Sequence, residues 1–268
     1  MKIGFFGAGN MATAIIKGAA SANAVTGENI YIYDTDIDKM KAKGSEFSIN
    51  CCLSPEELIS SCDAVIMAVK PNILPVVLSE NSEFFKTHSP LIISIAAGRS
   101  IQYISDHLGY DARIVRVMPN INAVVQSAMC AYCCNKNVSP EDVSLVEALF
   151  SSIGRTISLD ESYFPIFGVI AGSAPAFAYM FIDSLARGGV KNGLSKQAAL
   201  EIAAQTVLGS AQMILNGSSH PYELADMVCS PGGTTIEGVC SLQKNAFESS
   251  VIEAVDATLA KDKFISQS

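Results

Sequence analysis

Short, uninterrupted apolar runs punctuate the first half of the chain. They are Lys2-Ile3-Gly4-Phe5-Phe6, Asn29-Ile30-Tyr31-Ile32-Tyr33, Ala64-Val65-Ile66-Met67-Ala68-Val69, Leu91-Ile92-Ile93-Ser94-Ile95 and Ile114-Val115-Arg116-Val117. Their length and lack of alternation predict strands buried on both faces, and helix-periodic segments lie between them. Strands that alternate with helices predict a doubly wound, mostly parallel sheet. Near Arg155-Thr156-Ile157-Ser158-Leu159 the pattern changes, and beyond it long helical stretches replace the strands. This places a boundary between residues 1–158 and 159–268. Phe164 to Gly189 is apolar on nearly all sides, interrupted by Gly172-Ser173-Ala174-Pro175, and Ser195 caps a further segment running to Leu215. The second half is too short to bury so many apolar faces alone. It therefore predicts a homodimer with interlocking helices, or a larger homo-oligomer built of dimers.

The turn after the first run carries the clearest chemistry. Gly7-Ala8-Gly9-Asn10-Met11-Ala12 joins a strand to a helix, the context of a dinucleotide site. Gly7 permits the tight turn, Gly9 lets the backbone approach a pyrophosphate, and Ala12 takes the third small position, where helix packs on strand. The second strand ends at Asp34, whose carboxylate is placed to accept hydrogen bonds from the ribose hydroxyls of an adenosine. The first half thus reads as a Rossmann-type domain. Two further strands end in residues suited to the crevice at the carboxyl edge: Ala68-Val69-Lys70-Pro71 and Ala96-Ala97-Gly98. Pro71 stops its strand, Lys70 is either a charge offered to the cofactor or a solvated surface lysine, and the small Ala-Ala-Gly run lets a nicotinamide ring lie close.

In the second half, Ser230-Pro231-Gly232-Gly233-Thr234-Thr235 precedes an apolar-periodic run from Ile236 onward. Two glycines let backbone N–H groups converge, and the positive end of the following helix points at them, a site suited to a carboxylate. The alternative is a Ser-Pro turn leading into a glycine-softened helix start.

Composition narrows the classes. With 268 residues, a formal net charge of -8 and a pI near 4.9, the chain lacks the basic stripe that a nucleic-acid partner needs. No signal-peptide core and no apolar run of membrane-spanning length is expected, which points to a soluble cytoplasmic protein. Of eight cysteines, Cys51, Cys52, Cys62, Cys229 and Cys240 read as reduced, buried thiols. Cys130, Cys133 and Cys134 fall on an alternating, strand-like stretch without a matching ligand pair, so no metal site is expected. His88, His107 and His220 are scattered, which leaves a histidine acid–base mechanism without support. His220-Pro221 reads as the start of a turn or helix.

The chain resembles pyrroline-5-carboxylate reductases over nearly its whole length. The matching stretches are Gly4 to Met11, Ala68 to Pro71, Ser94 to Gly98, Met118-Pro119-Asn120, and above all His220-Pro221 through Asp226 to Thr235. The resemblance implies reduction of the cyclic imine 1-pyrroline-5-carboxylate to L-proline with NADPH or NADH, the final step of proline biosynthesis. It implies a cofactor domain followed by an all-helical dimerisation domain, with each active site formed where they meet. It also implies that Thr235 is the hydroxyl nearest the ring nitrogen, that Ser230 and the Gly233, Thr234 and Thr235 amides hold the carboxylate, and that Glu161 approaches the substrate.

Asp34 departs from the small neutral residue common in that family. No arginine follows it in Thr35-Asp36-Ile37-Asp38, so local charge favours NADH. Alternatively, Asp34 turns away and Lys39 or a backbone nest receives a 2′-phosphate. A β-hydroxyacid dehydrogenase shares the opening fingerprint, but Ala171 to Phe177 lacks that family's catalytic lysine. A non-catalytic nucleotide sensor would have no need of the Ser230–Thr235 loop.

Overall fold

The computed structural model describes residues 1–22 and 24–266 and divides into two compact units, Met1–Gly172 and Ser173–Ser268. The strands of the first unit are β1 (Ile3–Phe6), β2 (Ile30–Tyr33), β3 (Asn50–Cys51), β4 (Ala64–Met67), β5 (Leu91–Ser94), β6 (Ile114–Met118), β7 (Ala128–Cys134) and β8 (Gly154–Ser158). Its helices are α1 (Asn10–Ser21), α2 (Ile37–Phe47), α3 (Pro55–Ser61), α4 (Leu74–Glu80), α5 (Ser82–His88), α6 (Ile101–Leu108), α7 (Pro140–Ser151) and α8 (Phe164–Phe167).

One sheet runs β3-β2-β1-β4-β5-β6-β7-β8. The first six strands are parallel, β7 is antiparallel to β6, and β8 is parallel to β7. Strand order reverses at β1, whose neighbours are β2 and β4. Phe6 pairs with both Tyr33 and Met67, so three strands finish level at the point where such sheets bind ligands. Each central strand divides its side chains between two cores. On β4, Ala64 and Ile66 join the cluster with Ile15, Ile16 and Phe150, while Val65 and Met67 join Leu58, Leu74 and Phe85.

The apolar runs of the sequence correspond to β1, β2, β4, β5 and β6. The two-residue β3 carries no pattern long enough to read.

The second unit consists of α9 (Ala174–Lys191), α10 (Lys196–Asn216), α11 (Pro221–Val228), α12 (Thr234–Lys244) and α13 (Phe247–Ser266). Ser195 caps α10 by accepting from the Ala198 N–H, as its position in the sequence suggests. Among the described residues, the buried hydrophobics of this unit are Ala186, Ala199 and Ala203. Tyr179, Met180, Ile202, Leu208, Met213 and Met227 are exposed.

Two expectations need correction. Gly172-Ser173-Ala174-Pro175 does not interrupt the apolar helix. Gly168–Ser173 forms a π-helical turn just before Pro175, and helix continues from Glu161 to Lys191, because that turn already departs from the regular i→i−4 ladder that a proline would break. Glu161–Lys191 and Lys196–Asn216 are each long and apolar enough to cross a membrane by length and composition, contrary to the expectation that no such run exists; the apparent break at residues 172–175 had hidden the first.

Candidate functional site

The glycine turn is wedged between the ends of β2 and β4. Gly7 has φ +109°, its N–H donates to the Tyr33 carbonyl at 2.7 Å, and a Cβ there would stand 2.7 Å from the Ala68 carbonyl oxygen. No L-side chain tolerates both constraints. Gly9 opens α1 with no side-chain cap, and a Cβ there would meet nothing within 4 Å. In contrast, α2, α3, α6 and α7 begin on Asp36, Ser54, Ser100 and Ser139, whose side chains accept the first amides. The first turn of α1, from exposed Asn10 onward, therefore has N–H groups without a side-chain cap, as do α4 and α5, and the open space at Gly9 gives a pyrophosphate room to approach them. Ala12 is fully buried against the sheet.

Asp34 lies beside this loop. Its carboxylate accepts the Ala8 N–H at 2.7 Å and the Asp36 N–H at 2.9 Å, and Lys39 Nζ stands 3.7 Å away.

A cleft of about 190 Å³ opens at the carboxyl edge of the sheet. Met11, Ala68, Val69, Ala96 and Ala97 all line it, joined by a further wall of Arg116, Val117, Met118 and Pro119. Gly98 continues the loop with φ +70°, and Arg99 Nε donates to the Pro71 carbonyl at 3.2 Å, tying the two loop ends together. Lys70 is exposed and stands outside the lining.

The Arg116 wall did not emerge as a site from the sequence. The available signal was a lone arginine in the apolar run Ile114-Val115-Arg116-Val117. Arg116 is 9% exposed, and its Nη1 donates to Glu161 Oε1 at 2.9 Å. The same oxygen accepts the Ile101 N–H at 2.9 Å, and Phe164 lies under the guanidinium at 4.4 Å. Asn120 secures the end of the wall. Buried, it donates to the Ala171 carbonyl in the π turn at 2.8 Å and accepts the Met129 N–H at 3.2 Å.

In the second unit, His220 caps α11 through the Tyr222 N–H, and Pro221 opens that helix. The chain then turns at Ser230, whose carbonyl accepts the Gly233 N–H at 2.9 Å. Gly232 has φ +67°, and a Cβ at Gly233 would overlap the Ser230 hydroxyl. Gly233 opens α12 without a side-chain cap. The helix starts at Thr234, two residues before the expected Ile236, so Thr234 and Thr235 occupy its first turn and both are exposed. Ser230, Gly233, Thr234 and Thr235 thus gather at one uncapped helix start, suited to a carboxylate. The Glu161 carboxylate, by comparison, is held in the first unit by Arg116 and the Ile101 amide.

The thiols divide by location. Burial pushes Cys52, Cys62, Cys130 and Cys133 up to about 12, whereas Cys240, expected to be buried, is exposed on α12 because that unit covers few of its faces. Among the described residues, no group of three or more His, Cys, Asp or Glu is placed to hold a metal ion.

Comparison with known proteins gives this geometry a family. The chain is 40% identical to pyrroline-5-carboxylate reductase of Escherichia coli K12 over 268 residues, covering 100% of this chain and 99% of the relative. The chain belongs to the pyrroline-5-carboxylate reductase family. The family model for pyrroline-5-carboxylate reductase dimerisation matches residues 161–265, and one described as NADP oxidoreductase, coenzyme F420-dependent, matches residues 2–98. The pyrroline carboxylate reductase of Plasmodium falciparum, solved with NADP bound, is 36% identical with a TM-score of 0.85, covering 99% of this chain and 98% of that one. A pyrroline-5-carboxylate reductase from Coxiella burnetii superposes with a TM-score of 0.93 at 28% identity, covering 98% and 97%. The family thus joins a Rossmann-type domain to a helical dimerisation domain, the two halves that the apolar pattern separates.

Proposed function

We propose that this chain reduces 1-pyrroline-5-carboxylate to L-proline with NADPH or NADH, closing proline biosynthesis. The observation that carries the proposal is the 40% identity, end to end, with a protein of that name. The geometry supports it at both places where the reaction needs the protein. The boundary between the two roles falls at 158/159, after the last strand.

Bound NAD(P)H supplies the hydride. The amides of the Gly7–Asn10 loop and the start of α1 hold its pyrophosphate, Asp34 faces the adenosine ribose, and Met11, Ala68, Val69, Ala96, Ala97 and Gly98 shape a close, largely apolar seat for the ring. Pro71, fixed through Arg99, keeps that seat rigid, and Lys70 stays at its rim as a surface charge. Ser230 and the Gly233, Thr234 and Thr235 amides hold the substrate carboxylate. The Thr235 hydroxyl orients the imine nitrogen. A protonated imine already accepts hydride readily, so positioning supplies much of the acceleration and no strong catalytic acid is required. Glu161 enters this scheme through Arg116.

Asp34 gives NADH the advantage. A 2′-phosphate about 5 Å from its carboxylate, at an effective dielectric near 20, would be repelled by roughly 3 kcal/mol, reduced by solvent and by Lys39. The helical half assembles as a homodimer or a larger oligomer of dimers in the cytoplasm, and a second copy covers its bare helices.

The test is to mix purified protein with 1-pyrroline-5-carboxylate and each cofactor, follow loss of reduced nicotinamide absorbance, and identify the product by mass spectrometry. Proline formation supports the proposal. Folded, oligomeric protein that oxidises neither cofactor overturns it.

A further inference from the structure

A buried arginine is a costly way to fill a strand. The neighbours of Arg116 on β6 are apolar, and a hydrophobic side chain of similar volume would pack there without the desolvation that a guanidinium suffers. The sheet keeps the charge nonetheless, at 11% side-chain exposure, and lays it along the wall of the cleft rather than in the sealed core. It also keeps a dedicated counter-charge. Glu161 arrives from the turn after β8, uses one oxygen for both Arg116 and the Ile101 N–H that opens α6, and stands 32% exposed on its outer side. Phe164 packs against the guanidinium at 4.4 Å. The result is a fixed cation in the lining of the cleft, paired with a fixed anion outside that lining.

The ligand assigned to this cleft changes charge during turnover. Its ring is neutral when reduced and positive when oxidised, so a nearby unbalanced charge would favour one form over the other. We infer that Arg116 and Glu161 form a charge-balancing pair: Arg116 sets the field at the nicotinamide end of the cleft, and Glu161 cancels it, so that reduced cofactor is captured and oxidised cofactor is released without either being trapped. Glu161 is then a positioning residue acting through Arg116. The inference rests on assigning the cleft to nicotinamide.

Its test is equilibrium binding rather than turnover. Dissociation constants for NADH and NAD+ are measured by calorimetry on the wild-type oligomer and on E161Q, R116M and R116K. Their adenosine halves are identical, so the ratio Kd(NAD+)/Kd(NADH) isolates the ring's charge. E161Q preserves shape and both hydrogen-bond acceptances while removing the anion, and should raise the ratio about fivefold. R116M leaves the anion unopposed and should lower it by a similar factor. R116K keeps the charge and should stay within about twofold of wild type. If R116M fails to fold, E161Q carries the test alone. Equal weakening of both cofactors, with the ratio unchanged, would make the pair a packing feature and overturn the inference. Failure of the wild type to bind either cofactor would instead remove the nicotinamide assignment, and this inference with it.

Discussion

Ile15, Ile66, Phe85 and Phe150 in the first unit are fully buried, whereas Met180, Ile202, Met213 and Met227 in the second are 54–76% exposed. The two units are thus made of similar residues put to different ends. In the first, helices cover both faces of a mostly parallel sheet, and β1, β4 and β5 hide every side chain. In the second, α9 and α10 meet through Ala186, Ala199 and Ala203, small residues that bring helices close but bury little apolar area. Bare apolar surface on that scale marks a place for a partner. The cleft at the carboxyl edge of the sheet is lined by residues of the first unit alone, whereas the helical half leaves its apolar faces bare.

One charge placed on each unit at matched exposure should have opposite consequences for assembly. Leu208 on α10 is 51% exposed and Val76 on α4 is 50% exposed. Leu208→Glu should raise the dimer dissociation constant by about a thousandfold or more, because a carboxylate sealed into an apolar interface is left unpaired. Val76→Glu should leave assembly unchanged. Sedimentation velocity checks both, and equal behaviour of the two variants would end the distinction.

Within the first unit, Gly7→Val should weaken NADH binding roughly a hundredfold, since φ +109° and the Ala68 carbonyl both oppose a side chain. Fluorescence titration of NADH measures this. In the second unit, Thr235→Ala should lower kcat roughly tenfold while leaving NADH affinity unchanged, the loss expected of one oriented hydrogen-bonding group. Steady-state kinetics with parallel binding separates these effects, and unchanged kcat would remove Thr235 from the chemistry. The smallest expected effect is at Asp34. Asp34→Ser should move the NADPH/NADH ratio of kcat/KM several-fold toward NADPH, because it removes a negative charge beside the glycine turn that Lys39, 3.7 Å away, only partly offsets.

Much of the cofactor half was legible, because buried parallel strands are written as continuous apolar runs and the glycine turn is dictated by backbone sterics. Gly7, Ala8, Gly9, Met11, Asp34, Ala68, Val69, Ala96 and Ala97 do gather at one edge. Arg116 stayed hidden because a charge inside an apolar run gives no sign of its facing a cleft, and its partner Glu161 lies 45 residues away. The helix through Gly172-Ser173-Ala174-Pro175 was obscured by local punctuation that a π turn absorbs. The glycine-started α12 was visible at Ser230–Thr235, although its first turn takes in both threonines. The exposure of Cys240 could not be read from its neighbours, since apolar surroundings in sequence do not say whether a face is covered within one chain.

In the reaction assigned to this chain, hydride passes from reduced nicotinamide to the imine carbon of 1-pyrroline-5-carboxylate. The most direct measurement is turnover with NADH deuterated at the transferable ring position, followed by mass spectrometry and NMR of the product. Proline should carry one deuteron on the ring carbon formerly double-bonded to nitrogen. Proline without label at that carbon, or cofactor oxidised without proline, would contradict it.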